Sequence, residues 1–396
     1  MTARCALMAV FAFAASSAYA QESVFNLPAF GVPTSGESMR ARALGGAGLG
    51  LEGDPFSLEA PAQLRRFVRT GFHLSAVGQR SDVEDRARSG KIEDVAFPMG
   101  QLVIPAWKGT AISVGFYQFV DFDAAVATTT VFEGDTLPIS LRSEGGVSIV
   151  APGGSLAIDD RTSVGASLDI YMGSRRLVRE IDTAGIGGGA LGTVDSVGRD
   201  FRALGVTLGA ERDFGGTLLA AAWRWRPAID SEITQAPGAG LVGTTTEYDL
   251  PSEFVVGGSR RLSQRLSASA VIRWSDWAGL DDPAGSEYGP AFETGGGVEL
   301  TPGRRELWIF GPEAPLRAGF RWRRLPLRID GEAVDEWVAS AGYGRAFAGA
   351  WSRVDVVFEV GRRGDLDAIG VTERFLRLGI GLSAFEQWRR DAPSGP

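Results

Sequence analysis

The chain has one cysteine and one histidine in 396 residues. Cys5 stands ahead of an apolar stretch near the N-terminus, so it is not a lipoprotein acceptor, and no thiol follows it. Disulfides, thiolate catalysis and cysteine-held metals are thereby excluded. A general base needs a partner within reach, and His73 has no second imidazole to work with. The sequence therefore offers no catalytic residue, no metal site and no cofactor site. Long apolar runs are missing too: no segment approaches the ~18–20 residues that a helical span needs. Cationic excess is absent, and a net charge of -8 argues against nucleic acid. All but two of the 40 basic residues, Lys91 and Lys108, are arginine, a skew given no functional weight.

What is present points elsewhere. Met1–Ala20 carries Arg4, the apolar run Ala6–Ala15 and Ala18-Tyr19-Ala20, the pattern of a cleaved secretory signal. There are 54 glycines and 10 tryptophans, aromatics make up 10%, and mean hydropathy is +0.01. Strands that are apolar on one face only give such values, as in a transmembrane β-barrel.

From Phe67 the chain runs in period two. Candidate strands are Phe67–Gln79, Asp94–Ile104, Thr110–Phe122, Gly146–Ile158, Thr162–Leu177, Gly198–Asp213 and Thr217–Ala228. Thr246–Leu262, Leu266–Trp277, Pro290–Leu300, Leu316–Arg324, Glu336–Phe347, Ser352–Gly361 and Thr372–Phe385 follow. In the third, Ile112, Val114, Phe116 and Val120 share one face. About fourteen strands is an even number, as bacterial barrels require. The connections alternate in length, with Thr301–Pro315 an exception. Arg80–Glu93, Asp123–Gly145, Val178–Val197, Ile229–Thr245, Ala278–Gly289, Leu325–Asp335 and Arg362–Val371 read as long external loops. The fold expected is an all-β antiparallel barrel: signal 1–20, plug 21–66, barrel 67–385 and extension 386–396.

The stretch Met39–Leu64 breaks the pattern. It is rich in Gly and Ala, lacks alternation, and ends in Ala60-Pro61-Ala62, which is expected to stop any helix or ladder. Gly48–Gly53 fits GxGxxG as a string, but no strand precedes it and no helical period follows, so the nucleotide reading fails. Arg42, Gly45, Gly46, Ala47, Gly48, Asp54, Pro61, Ala62 and Leu64 resemble the N-terminal plug of the long-chain fatty acid transporter family of Gram-negative outer membranes. Two departures stand out: Ala60 replaces an Asn, and Gly53-Asp54 replaces an acidic pair. Leu250–Trp277, Leu316–Trp322 and Phe375–Ser383 are similar to further strands of that family.

Chemistry-bearing side chains fall on the inward faces. Arg224 and Arg226 alternate with Trp223 and Trp225, and Arg317, Arg321 and Arg323 with Ala318, Phe320 and Trp322. Arg273 and Arg377 lie on the polar faces of their strands, as do Asp355, Glu359 and His73. A charge facing lipid near the midplane costs ~2–4 kcal/mol, so these must face the lumen. There they can pair with Asp355, Glu359 and plug carboxylates, and one or two can fork a ligand carboxylate. Trp223, Trp225, Trp274, Trp277, Trp322 and Trp337 read as an interface girdle. Asp281-Asp282 and Asp365/Asp367 read as solvated loop carboxylates. Pro152, Gly153 and Gly154 interrupt the fourth strand. The family has a wall strand that kinks inward to open a lateral exit, and this resemblance implies the same role for Pro152–Gly154.

The resemblance implies passive uptake of hydrophobic or amphipathic molecules such as long-chain fatty acids. The expected partners are that ligand, outer-membrane lipids and, during biogenesis, the barrel assembly machinery. A barrel that anchors or contacts secreted or surface proteins, without transport, is the alternative.

Overall fold

The computed structural model describes residues 23–27, 30–53, 56–107, 109–132, 135–181, 193–235, 242–282, 285–302, 314–347 and 352–386. The expected signal at 1–20, Asp54, most of Thr301–Pro315 and the expected extension beyond Glu386 lie outside them.

Fourteen antiparallel strands close into a barrel. β1 is Thr70–Asp85, β2 Ser89–Trp107, and β3 joins Thr110–Asp121 to Ala124–Phe132. β4 joins Asp135–Val150 to Gly153–Ala157, β5 is Thr162–Ile181 and β6 Thr193–Asp213. β7 joins Thr217–Trp225 to Ile229–Gln235, β8 joins Thr245–Tyr248 to Glu253–Arg261, and β9 is Leu266–Asp276. β10 joins Glu287–Tyr288 to Pro290–Leu300; β11 is Leu316–Ile329, β12 Glu332–Phe347, β13 Ser352–Asp365 and β14 Val371–Glu386. The seam β1–β14 is laddered from Thr70↔Glu386 to Asp85↔Val371. No sheet edge is left at the seam, which is what a lipid environment demands.

The outward face carries the apolar surface. Phe320, Phe358, Leu376, Leu378, Ile380, Val256 and Ile272 are exposed, as are Trp223, Trp225, Trp274 and Trp337. Trp277 departs from the expected girdle: it is 1% exposed and lies inside. β9 ends at Asp276, and the chain then turns over the mouth, where Trp277 stacks on Tyr288 and donates to Ser275 Oγ.

Among the described residues, most of the expected external loops are in fact strand. β1 and β2 run on to a turn at Arg86–Arg88, and β3 and β4 rise as a hairpin, Ala124↔Ser143 to Phe132↔Asp135. Above the membrane both faces of a strand meet water, so the period-two signal fades while the ladder continues. β13 instead ends in the short helix Leu366–Ile369, capped by the Asp365 carboxylate. Asp365 is thus a capping group that also pairs with Arg362, at 2.9 Å.

Inside the barrel sits the N-terminal segment. Met39–Ala43 forms one helical turn capped by Ser38. Pro61 opens the 3-10 helix Pro61–Arg66. That corrects the expectation that Ala60-Pro61-Ala62 stops a helix. Proline's missing N–H is harmless at a first helical position, where that donor has no partner anyway.

Candidate functional site

The plug is fastened by shape and by charge. Gly45, with φ +68°, lies against the β10 and β11 backbones. A Cβ there would collide with the Phe320 carbonyl oxygen, and Cβ atoms on Gly295 or Gly319 would collide with Gly45 itself. Gly46 turns beside Glu37, Gly48 packs on Ala41, and Pro61 sits on the backbones of Gly165 and Gly209. Wall glycines are therefore the other half of the plug motif, and their place could not be read without the register.

Charge does the rest. Arg42 forks Glu359 of β13, at 2.6 Å from Nη2. Arg40 forks Glu299 of β10, and Arg66 forks Glu211 of β6. In the other direction, Arg273 of β9 reaches Glu59 at 2.6 Å and Glu37 at 3.2 Å, both in the plug, and Glu293 at 2.5 Å. Burial beside Glu37 and Glu253 pushes the Glu59 carboxyl up to about 7, against the pull of Arg273.

The other inward arginines are placed as follows. Arg224 bonds Glu253 at 2.9 Å and lies 3.4 Å from Asp169. Arg317 bridges Glu299 and Asp355. Arg323 bonds Glu336 at 2.6 Å and donates to the Pro33 carbonyl of the plug. Arg377 donates to Gln79 and lies over the Phe375 ring, 3.9 Å from its centroid. Arg321 comes no closer than 3.6 Å to Glu37. Arg226 bonds Glu253 through Nη2 alone, at 2.8 Å; its Nε and Nη1 are buried without a hydrogen-bond partner. His73 is buried, bonded to Ser383 and stacked on Phe56. Among the described residues no group of side chains could hold a metal ion.

Beside this polar layer lies a packed aromatic cluster. Phe119, Phe122, Tyr171, Phe201, Tyr248, Trp277 and Tyr288 belong to one buried cluster, and Phe30 of the plug fills it. The Phe30 ring meets Phe201 and Tyr248, and its N–H donates to the Tyr288 hydroxyl. Arg226 borders it, 5.0 Å from the Phe119 ring centroid. The Tyr117 and Tyr171 hydroxyls beside it have no hydrogen-bond partner.

A wall ladder ends next to this cluster, away from the expected place. At Pro152 the ladders hold: Val150↔Ile170 and Gly153↔Ser167 share one register on β5, and Phe116↔Val150 and Ser113↔Gly153 share one on β3. Ala151 and Leu168 also keep their backbone bonds across the break, so Pro152–Gly154 is closed here. The parting is between β2 and β3. They pair from Trp107↔Thr110 to Met99↔Tyr117, and among the described residues no ladder joins Ser89–Pro98 to the rest of β3. Pro98 lacks a donor and sits in the β1–β2 register shift; β3 shifts register between Gln118 and Val120 and turns inward. Phe119 and Val120 are both buried, so Val120 leaves the face of Ile112 and Val114. The plug pairs with the freed edge, Val32↔Asp121 and Pro33↔Val120, and Arg88 spans the outer end to the Ala127 carbonyl.

The barrel superposes on solved structures over nearly its whole length. A Pseudomonas aeruginosa FadL homologue aligns with TM-score 0.61 at 13% identity, covering 89% of this chain and 99% of that one. The Pseudomonas putida toluene transporter TodX aligns with TM-score 0.59 at 13% identity, covering 90% and 99%. The fold is that of the FadL-type barrel. A family model described as BamG matches residues 228–391, and a search of curated protein sequences finds no match. In this FadL-type barrel β8 to β14 and the second part of β7, Ile229–Gln235, fall within the BamG match, while the plug and the β2–β3 parting lie before it.

Proposed function

We propose that the protein is a passive conduit for hydrophobic or amphipathic small molecules across the outer membrane, with long-chain fatty acids as one fitting class. The observation that carries this reading is the aromatic cluster with Arg226 at its border. Two unpartnered guanidinium nitrogens beside packed aromatic rings suit a carboxylate head and a hydrocarbon tail. Ligand sites usually occupy ~300–1,000 Å³. Phe30 fills the aromatic cluster, so a ligand enters by displacing it. It then leaves sideways where β2 and β3 part. The structural neighbours, one of them a toluene transporter, support the reading at the level of the fold.

Mass spectrometry of small molecules extracted from gently purified protein tests it. Wild type is expected to yield an amphiphile, and Arg226→Ala to yield several-fold less. An unchanged amount in the variant would remove Arg226 from the site.

A second reading is a barrel that acts on other proteins. The Arg40, Arg42 and Arg66 clamps and the match to the BamG model favour it. An empty lumen with a stoichiometric protein partner would decide for it.

A further inference from the structure

The outward face of β13, β14, β1 and β2 forms three rows whose neighbours are fixed by register. In the deepest, Gly78 faces Val95 on one side and Leu378 on the other, and Leu378 faces Phe358. In the next, Arg80 faces Glu93 and Leu376, and Leu376 faces Val360. In the outermost, Asp82 faces Lys91 and Arg374, Arg374 faces Arg362, and Arg362 faces Trp337. Trp337 is exposed on the lipid side, which sets this row at the level of the aromatic belt.

Two features here have no structural explanation in the barrel alone. A groove of about 630 Å³ crosses the apolar rows, lined by Gly78, Val95, Phe358, Leu376 and Leu378, with Arg80 and Glu93 at its rim. It exists because Gly78 has no side chain: a Cβ there would meet nothing nearer than 4.0 Å. Directly outside it, Arg362 and Arg374 stand opposite each other. Like charges facing across a strand pair are destabilising. Arg362 is held by Asp365 and Thr372, whereas Arg374 has no hydrogen bond or ion pair among the described residues. Of the nearby carboxylates, Glu93 lies 3.5 Å from Arg80, Asp365 is held by Arg362, and Asp82 faces Arg374 without an ion pair.

We propose that this face binds one phosphorylated lipid of the outer leaflet, with an acyl chain lying over Gly78 and the phosphate between Arg374 and Arg362. A phosphate relieves the arginine pair, and an acyl chain fills a notch that would otherwise be ragged against the bilayer. Each arginine near an anionic lipid is worth about 1 kcal/mol, so the pair should favour an anionic over a neutral head group by roughly thirtyfold.

The test is native mass spectrometry of delipidated protein titrated with dioleoylphosphatidic acid and, separately, dioleoylphosphatidylcholine. A one-to-one adduct that prefers phosphatidic acid is expected. Arg362→Gln/Arg374→Gln should abolish the preference, Arg362→Lys/Arg374→Lys should retain much of it, and Gly78→Leu should weaken both lipids alike. Heat-modifiable migration on gels confirms that each barrel is folded. If the glutamine variant fails to fold, high salt on wild type should remove the preference instead. Equal adducts for the two lipids, or a glutamine variant that keeps its preference, would overturn the proposal. So would competition by inorganic phosphate alone, since that would mean an anion site with no use for the groove.

Discussion

Arg42 and Glu359 sit on different segments, and neither can be spared alone. A buried ion pair adds little net stability, but removing one member strands the other and costs ~3–5 kcal/mol. Arg42→Ala should therefore loosen the plug, seen as faster protease cleavage within Met39–Leu64, and Arg42→Met/Glu359→Leu should recover most of the loss. Glu59 makes a prediction about pH. Its docked pKa, about 7, lies above the ordinary 4.5, so the undocked form ionises first. Its contribution to docking is fully present below about 4.5 and is lost as pH rises through about 7. Glu59→Gln should then stabilise the plug by on the order of 2 kcal/mol at pH 8 and by little at pH 4, measured by thermal melting at both values.

At the scale of the element, β2 and β3 separate above Met99↔Tyr117. No cysteine follows Cys5, which makes paired-cysteine tests clean. Leu102→Cys with Val114→Cys, opposite each other in the ladder, should cross-link readily under oxidation. Phe97→Cys with Phe119→Cys should stay reduced, because their strands have parted; rapid closure of that disulfide would mean that the wall zips shut. The alternation of Phe67–Phe385 made the strands legible, since one-sided lipid contact writes itself into period two. Strand ends were less legible, because water on both faces removes that signature. The parting was missed for a different reason. Pro152 and Pro98 look alike in a sequence, and only the neighbouring ladders distinguish a proline that costs one hydrogen bond from one that accompanies a register shift. The inward arginines could be read from alternation, but the partner of each depends on which strands face the plug, which no local pattern records.

For the whole molecule, the filled lumen predicts negligible conductance to small ions in planar bilayers. Gly45→Val would force the plug off β10 and β11 and should raise conductance at least several-fold; an unchanged trace would mean that the plug seals without that contact. The contacts of the plug also bear on how the barrel is made. Met39 lies against Gly379 and Gly381 of the last strand, and Arg42 against the strand before it. These are the parts of the barrel synthesised last, yet they fit around a segment synthesised first. The plug thus has the form of a mandrel, and the final hairpin closes on it. A circularly permuted chain with the plug at its C-terminus would have to insert that segment into a finished cylinder, and should assemble far more slowly than the natural order.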